Sequence, residues 1–337
     1  MGMGQKLVNA NRPKSASGAA SGGYNQRVTM QLIRRLDSLQ PRECVVTIGS
    51  FDGLHRGHRV LIERALAHGA RLGLPAMMVT FEPLPREFLQ ATNPPARLTN
   101  LRERWRLLSE TGLERLCVLP FGPRLRSMSG QQFVELLAAA RARVVVVGHD
   151  FRFGRGGEGS ASWCAAQAGQ HGFTVDLVDE VPVDGERVSS GRVRTALAAG
   201  EFASAARMLG RGYSMRGRVR HGNQFGRTIG FPTANLAVKR RRVAVQGVFA
   251  VRVHGAGGGA GVDGLPGVAS LGTRPMVHGH EMLLEAHLFD FDGDLYGREL
   301  EVEFISRLRD ELTFPSMDAM VEQMHLDAAA ARRILGA

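Results

Sequence analysis

Lysine is scarce in this sequence of 337 residues: of its 43 basic residues, only Lys6, Lys14 and Lys239 are lysines. Neither a GxxxxGK phosphate-binding loop nor a protein-kinase lysine motif is present, so any phosphate transfer must use a different architecture. No stretch of about eighteen uncharged apolar residues occurs, so no membrane span is predicted. Residues 1–29 lack the apolar core of a secretory signal, and their Gly, Ser, Ala and Asn content predicts a disordered extension.

Cysteine is equally scarce. The three cysteines, Cys44, Cys117 and Cys164, are odd in number, widely spaced and mostly flanked by apolar residues. This pattern argues against both a disulfide framework and a zinc site, and it favours buried thiols in a reducing compartment. We therefore predict a cytoplasmic protein.

Positive charge is plentiful, and nearly all of it is arginine. The net charge of +11 suits anionic partners, and the guanidinium fork fits phosphate oxygens. Nucleic acid is one such partner, although the arginines are not gathered in one tail or helix with interleaved aromatics, and nucleotide phosphates are an equally good match. A basic nucleic-acid-binding protein with a structural α/β domain is the alternative. The run Lys239–Arg242 is interpreted as a solvated basic turn without a role.

Length and an apolar content of 44% predict two globular domains. From residue 44 to about 181, five short and mostly apolar strands alternate with helical patterns, one of which places Leu61, Ala65, His68 and Leu72 on a common face. A doubly wound, Rossmann-like α/β domain is predicted, with ligands bound beyond the carboxyl ends of its strands. Two short helices follow.

After Tyr213, strand-like segments separated by Gly-rich turns predict a small antiparallel β-barrel, closed by a helix from about Ser316 to Leu335. The predicted division is therefore an extension at 1–29, an α/β domain at 30–202 and a barrel domain at 203–337.

The first strand of the α/β pattern ends at Phe51 and runs into DGLHRGH, which places His55 and His58 at the turn before a helix. Free N–H groups and the helix dipole make such a turn an anion site. Two imidazoles there can donate hydrogen bonds to phosphoryl oxygens as charge builds on them. This arrangement predicts phosphoryl or nucleotidyl transfer without a covalent intermediate. Zinc is disfavoured, because no third or fourth ligand is marked in the sequence.

The predicted barrel opens with GRVRHGNQFGRTIGFPTANL at 217–236. Three glycines allow the backbone to approach a phosphate closely, and an arginine can supply the counter-charge. These residues are Gly222, Gly226, Gly230 and Arg227.

Thr233 and Asn235 alternate with Ala234, so a strand would point both side-chain oxygens the same way, as hard neutral ligands for magnesium. A turn after Pro232 is the alternative. On the strand MLLEAHLFDF, Glu285 projects from the face opposite the apolar residues. It is a candidate general base or a solvated strand charge.

GSFDGLHRGH resembles the signature of the HxGH nucleotidylyltransferases, specifically the FMN adenylyltransferase domain of bifunctional riboflavin kinase/FAD synthetases. GHDFRFGRGGEG at 148–159 and SSGRVR at 189–194 resemble two further motifs of that domain. GRTIGFPTANL closely resembles the signature of riboflavin kinases. The resemblance covers residues 30–335 in the right order, which isolated motifs would not do.

The resemblance implies that riboflavin and ATP give FMN, and that AMP is then transferred from ATP to FMN to give FAD, with Mg²⁺ for both steps. It implies that His55 and His58 stabilise the transition state at the α-phosphate. The other implied nucleotide and flavin contacts are Gly49, Phe51, Asp52, Gly57, Asp150, Phe151, Phe153, Ser189, Ser190 and Arg194. In the barrel it implies Thr233 and Asn235 as metal and ATP ligands and Glu285 as the base. Oligomeric state is left open.

Simpler interpretations stay open for several of these residues. Phe151 and Phe153 could be core, Ser189 an N-cap, and Arg194 a solvated helix residue. Departures from the family motifs also leave open that only one half is active. These departures are Gly157, Gly191, Ser270 and Met276.

Overall fold

The computed structural model describes residues 29–36, 42–222, 226, 229–257, 264–276 and 279–337. Apart from residue 29, the predicted extension lies outside this range. No helix within it is both long and apolar enough to cross a membrane.

The first region is an α/β unit. Its strands are β1 (Gln31–Ile33), β2 (Cys44–Ile48), β3 (Ala76–Glu82), β4 (Arg115–Pro120), β5 (Ala142–Gly148), β6 (Arg152–Phe153), β7 (Gly159–Ser160), β8 (Thr174–Val178), β9 (Pro182–Val183) and β10 (Glu186–Arg187). Its helices are α1 (Arg56–Leu72), α2 (Pro85–Leu89), α3 (Leu101–Ser109), α4 (Pro123–Ser127), α5 (Gly130–Ala139), α6 (Ala161–Ala168), α7 (Ser190–Ala198) and α8 (Phe202–Leu209), with 3-10 turns at Arg155–Gly157 and Gly169–His171.

Six of these strands form one parallel sheet in the order β1-β4-β3-β2-β5-β8. Every residue of β2 is buried, as expected for a central parallel strand covered on both faces. The predicted doubly wound α/β architecture is confirmed. The sheet also has an edge strand, β1, that was not predicted, since three residues give too short a pattern to recognise.

The predicted face of α1 is wrong by about one residue. The buried positions are Ile62, Ala65 and Gly69, whereas Leu72 is 37% exposed. The cause is Gly69, where an added Cβ would lie 2.7 Å from the carbonyl oxygen of Leu74. The absence of a side chain there lets the helix pack closely on the chain leading into β3.

The second region is a barrel. Its strands are β11 (Ser214–Arg220), β12 (Ala234–Ala237), β13 (Gly247–His254), β14 (Leu265–Met276), β15 (Gly279–Leu288) and β16 (Glu299–Arg309). All neighbouring pairs are antiparallel, and the barrel closes in the order β11-β12-β15-β14-β13-β16. Helix α9 (Met317–Leu335) packs against β13 and β14, and Ser316 caps it by accepting from the Ala319 N–H at 3.2 Å. The predicted barrel and closing helix are confirmed.

One apolar cluster contains residues of both regions. Phe202 of α8 contacts Phe249 and Phe304 inside the barrel, with ring centroids 5.8 and 6.4 Å apart. Leu98, from the loop before α3, belongs to the same cluster. The helices α7 and α8 therefore pack with the barrel and with the loop before α3.

The interpretation of Lys239–Arg242 as a solvated turn is wrong for Arg240, which is 7% exposed. Its guanidinium donates to Glu103 Oε2 at 2.5 Å and to the Leu98 carbonyl at 3.0 Å. Both bonds come from Nη2 and pair the buried charge with a carboxylate of the α/β region, whereas Nε and Nη1 are buried without hydrogen-bond partners among the described residues. Lys239, Arg241 and Arg242 are exposed, as predicted.

All three cysteines are buried free thiols in the α/β region. Burial raises the pKa of Cys44 and Cys164 to about 11 and that of Cys117 to about 12. These thiols are protonated and unreactive at neutral pH, and their burial agrees with the prediction from the sequence.

Candidate active sites

The turn between β2 and α1 has an unusual backbone. Phe51 and Leu54 adopt left-handed φ values of 49° and 47°, and Gly53 has φ 84°. Non-glycine residues rarely occupy this region, and such strain tends to occur at functional sites. Phe51 is fully buried, and the Gly53 N–H donates to Thr99 Oγ1 at 2.9 Å. The turn is therefore fixed by packing and by a hydrogen bond to the loop before α3.

His55 and His58 are brought together by this turn. His55 is the N-cap of α1, and its Nδ1 accepts from the His58 backbone N–H at 3.3 Å. The two rings stack with centroids 3.6 Å apart and an interplanar angle of 17°. Because Nδ1 of His55 accepts, the proton of the neutral ring resides on Nε2. The cap therefore selects the tautomer of His55.

Both imidazoles are held neutral. Burial lowers the pKa of His55 to about 4, against the opposing charge of Asp52. Burial and the neighbouring His55 hold the pKa of His58 well below its usual value. Nδ1 of His58 is buried without a hydrogen-bond partner among the described residues. At neutral pH the pair therefore offers N–H donors without placing two cations side by side.

The histidines line a cavity of 640 Å³ at the carboxyl ends of the strands, where the parallel sheet was predicted to bind ligands. Most of the residues named for the nucleotide and flavin pocket are among its walls. These are Gly49, Phe51, Asp52, His55, Gly57, His58, Asp150, Phe151, Ser189, Ser190 and Arg194.

Phe153 is not among the walls. It is 6% exposed and packs in the sheet core against Phe133 and Trp163, so the core interpretation describes its position. A Cβ on Gly159 would lie 2.6 Å from the Phe153 ring, which shows how closely the β6–β7 hairpin covers it. Phe151, two residues earlier, lines the cavity.

Asp52 holds other residues of the cavity in place through hydrogen bonds. Its carboxylate, 2% exposed, accepts from the Leu98 and Thr99 backbone N–H groups at 3.1 and 2.9 Å. It also pairs with Arg194 at 2.6 Å, and Arg194 Nε donates to the Ala96 carbonyl at 2.5 Å. Arg194 is thus a fixed cavity residue and not a solvated helix residue.

The paired serines have different hydrogen bonds. Ser189 is the N-cap of α7 and accepts from the Arg192 N–H at 3.2 Å, so the capping interpretation is correct for its geometry. The Ser190 hydroxyl donates to the Asp52 carbonyl at 2.9 Å. Both line the cavity, and the start of α7 thereby faces the start of α1.

Some cavity residues were missed in the sequence. Arg187, in the β9–β10 hairpin, pairs with Asp150 and also with Glu180, at 3.0 Å. The signal was its position two residues before Ser189, within the same motif-bearing segment. Arg86 and Glu87 of α2 also line the cavity, and no motif marked them.

The barrel has its own cavity, of 310 Å³. Its walls come from the glycine-rich segment, the start of β12 and the loop after β15. They are Val219, Gly222, Gly226, Pro232, Thr233, Ala234, Asn235, Leu288, Phe291, Asp292, Gly293, Asp294, Leu295 and Tyr296. The loop residues from Phe291 to Tyr296 were not predicted, because no motif marks them.

Gly222 and Gly226 lie directly against the proposed metal ligands. A Cβ on Gly222 would be 2.6 Å from Asn235 Nδ2, and one on Gly226 would be 3.5 Å from Thr233 Oγ1. Ala234 is buried while Thr233 and Asn235 are half-buried, which agrees with the predicted alternation, although β12 begins at Ala234 and Thr233 directly precedes it. A hydroxyl and an amide oxygen beside a cradle that only glycine fits suit a magnesium ion that keeps water and phosphate ligands.

Glu285 lies directly opposite Asn235 in the pairing of β15 with β12, with its side chain on the outer face of the barrel between buried Leu284 and Ala286. It is not among the walls of the barrel cavity within the described residues. Gly230 has φ 79° and serves the turn. Arg227 lies outside the described residues.

A strained turn with paired neutral imidazoles on a parallel sheet, followed by a closed barrel with its own glycine-lined cavity, defines a two-domain transferase of the nucleotide-using class. Matches to known families agree with this class. The family model described as FAD synthetase matches residues 37–192, and the one described as riboflavin kinase matches residues 209–335.

Individual relatives are similar along nearly the whole chain. A protein from Pseudomonas fluorescens named bifunctional riboflavin kinase/FMN adenylyltransferase is 44% identical, and the match covers 90% of this chain and 98% of the relative. One of the same name from Escherichia coli K12 is 41% identical, covering 91% and 98%. A solved structure from Streptococcus pneumoniae, named a macrolide-efflux protein, is 32% identical with TM-score 0.72, covering 90% and 98%.

The chain belongs to the bifunctional riboflavin kinase/FMN adenylyltransferase family. The resemblance, the fold class and the bifunctional transferase predicted from the sequence are confirmed.

Proposed function

We propose that the two activities of this family are divided between the two cavities. The barrel phosphorylates riboflavin with ATP to give FMN and ADP. The histidine cavity then transfers AMP from a second ATP to FMN, releasing FAD and pyrophosphate. The observation that carries the assignment is the stacked, neutral His55–His58 pair at the start of α1, facing a cavity at the carboxyl ends of the sheet.

In the histidine cavity, an FMN phosphate oxygen attacks the α-phosphorus of ATP while the bond to the pyrophosphate oxygen breaks. Negative charge spreads over the phosphoryl oxygens in this transition state. Nε2–H of His55 donates to that charge, and the start of α1 adds its dipole. We assign the same role to His58, whose ring stacks on that of His55. Arg194, fixed by Asp52 at 2.6 Å, binds the triphosphate together with Ser189 and Ser190.

In the barrel, the riboflavin 5′-hydroxyl attacks the γ-phosphorus of ATP while the bond from that phosphorus to the oxygen of the departing ADP breaks. Glu285, opposite Asn235 on the neighbouring strand, accepts the hydroxyl proton as general base. Thr233 and Asn235 would hold Mg²⁺, which neutralises charge on the ATP phosphates when bound. Because Gly222 and Gly226 have no side chains, the backbone beside Thr233 and Asn235 leaves room for the phosphates.

We place the enzyme in the cytoplasm, because its three buried free thiols suit a reducing compartment. Its partners are riboflavin, FMN and ATP with Mg²⁺, and neither nucleic acid nor a membrane is a proposed partner. The excess of arginine is used in part at the proposed nucleotide site, as Arg194 illustrates.

The proposal is tested by incubating the full-length protein with riboflavin, ATP and magnesium and separating the flavins by chromatography. His58→Ala should accumulate FMN without FAD, and Asn235→Ala should leave riboflavin unphosphorylated yet convert supplied FMN to FAD. His149→Ala is the matched control, since this histidine lines the same cavity but is half exposed. If each variant lost both reactions, the assignment of one reaction to each cavity would be refuted. If the wild-type protein catalysed only one of the two reactions, a single active half would be favoured.

A further inference from the structure

Arg240 belongs to the barrel region by sequence, three residues after the end of β12. Its side chain nevertheless reaches into the α/β region and is fully buried there. It donates to Glu103 Oε2 at 2.5 Å and to the Leu98 carbonyl at 3.0 Å. Burying a guanidinium is costly unless its partners are well placed. Arg240 thus fixes the position of the loop that carries Leu98.

Leu98 is bound from both sides. Its carbonyl accepts from Arg240, while its N–H donates to both carboxylate oxygens of Asp52 at 3.1 Å. The next residue, Thr99, donates its N–H to Asp52 at 2.9 Å. A shift of this peptide would therefore move the acceptor of Arg240 and the donors of Asp52 together.

Asp52 in turn holds Arg194, with 2.6 Å between Oδ2 and the guanidinium. Arg194 lines the histidine cavity. Each contact in the series from Arg240 through Leu98 and Asp52 to Arg194 is a hydrogen bond of a buried or nearly buried group. Such a series can transmit a displacement of a few tenths of an ångström, because buried polar groups cannot exchange partners with water.

Glu103 ties the same loop to the barrel a second time. Its Oε2 accepts from the Asn100 N–H at 2.8 Å within the cap of α3, and its Oε1 accepts from the Arg216 N–H of β11 at 2.9 Å. The loop before α3 and the start of α3 are therefore bound by β11, through Arg216, and by the segment after β12, through Arg240.

We propose that Arg240 is a positioning residue for the adenylyl transfer, although it lies in the region assigned to riboflavin phosphorylation. It holds the Leu98–Asn100 segment so that Asp52 presents Arg194 to the triphosphate of ATP. The inference rests on the proposed role of Arg194 in binding that triphosphate.

The first test is Arg240→Met, assayed separately for each reaction in the full-length protein. KM for ATP in the conversion of FMN to FAD should rise roughly tenfold with a smaller change in kcat, and riboflavin phosphorylation should change less than about twofold. Arg241→Met is the matched control, because this neighbour is exposed, and it should leave both reactions unchanged. Arg240→Lys, which keeps a charged donor on a shorter side chain, should give an intermediate KM.

A second variant separates positioning from charge imbalance. Arg240→Met leaves the buried Glu103 carboxylate unpaired, whereas Arg240→Met with Glu103→Gln removes that charge, and the single amide oxygen of glutamine can still accept from one of the Asn100 and Arg216 N–H groups. The melting temperature of the double variant should return toward wild type while the raised KM for ATP persists. A KM that returns to the wild-type value, or an equal fall of both reactions in either variant, would overturn the inference. Wild-type kinetics in Arg240→Met alongside an inactive His58→Ala would do the same without touching the proposed function.

Discussion

The histidine cavity and the barrel cavity are constructed by different means. Around the first, charged side chains are buried and bonded to one another, as in the contact between Asp52 and Arg194. Around the second, a Cβ on Gly222 would meet the Asn235 side chain at 2.6 Å, and one on Gly226 would meet the Phe231 carbonyl oxygen at 2.2 Å, so neither glycine leaves space for a side chain. One site should therefore be most sensitive to changes of charge and the other to added volume.

The largest expected effect is on the barrel. A Cβ on Gly226 would lie 2.2 Å from the carbonyl oxygen of Phe231, and backbone cannot move away as a side chain can. Gly226→Ala should therefore lower riboflavin phosphorylation by at least about 100-fold, measured as FMN formed from riboflavin, while FAD formation from supplied FMN is retained. Gly257→Ala is the control, since its Cβ would meet nothing within 4 Å in the described part of the chain. Equal losses in the two variants would contradict the volume argument.

The matching charge experiment is Asp52→Asn. It preserves shape but leaves the nearly buried Arg194 without its counter-charge, so the free energy of unfolding should fall by about 3 kcal/mol. FAD formation from FMN should fall roughly tenfold, and riboflavin phosphorylation should hardly change. Asp179→Asn serves as the comparison, because this carboxylate lines the same cavity but is 96% exposed. Urea unfolding and the two separate assays measure these effects, and similar behaviour of the two variants would show that burial is not the reason.

Acid should destabilise the region around the histidines. The pKa of His55 is lowered to about 4 in the folded protein from 6.5, so the unfolded chain binds the proton first as the pH falls. The stability that the neutral ring contributes is complete above about pH 6.5 and is lost as the pH approaches 4, by at most about 3 kcal/mol. Urea unfolding at several pH values should show a shallower fall for His55→Asn, which keeps an N-cap side chain but cannot titrate. Identical slopes would mean that His55 is not held neutral by the fold.

The smallest effect distinguishes two roles of Ser189. Ser189→Ala removes the cap of α7 and should cost about 1 kcal/mol of unfolding free energy, whereas Ser189→Asn keeps a capping acceptor and should cost little. If the hydroxyl also contacts the triphosphate, as proposed, both variants should raise KM for ATP in FAD formation severalfold. An unchanged KM in the stable Ser189→Asn variant would leave capping as the whole role.

Much of the two candidate sites could be predicted, because the residues concerned are close to one another in the sequence. The positions of His55 and His58 follow from a strand, a turn and a helix start that are adjacent in the chain, and the alternation at Thr233 and Asn235 follows from strand geometry. The long-range hydrogen bonds do not follow. Leu98 meets Asp52 across 46 residues and Arg240 meets Glu103 across 137, and no local pattern encodes such partners.

Close packing explains the remaining errors. Phe151 and Phe153 look alike in sequence, yet the hairpin that brings Gly159 against Phe153 buries only the second ring in the core. The predicted face of α1 was wrong because Leu72 is more hydrophobic than Gly69 and was therefore assigned to the core. The chain packs so closely on the helix that the buried position is the one without a side chain, Gly69. Arg240 was predicted to be solvated because its neighbours in the sequence are basic. Its side chain is instead buried, because it pairs with the buried carboxylate of Glu103.

The distribution of the thiols has a practical consequence. All three cysteines lie in the α/β region, and so do the only two tryptophans, Trp105 and Trp163. Indole fluorescence and thiol trapping therefore monitor the melting of that half and are blind to the barrel. A chain whose barrel loosened first would still look native by both probes, and far-ultraviolet circular dichroism or a tryptophan introduced into β13 would be needed to detect it.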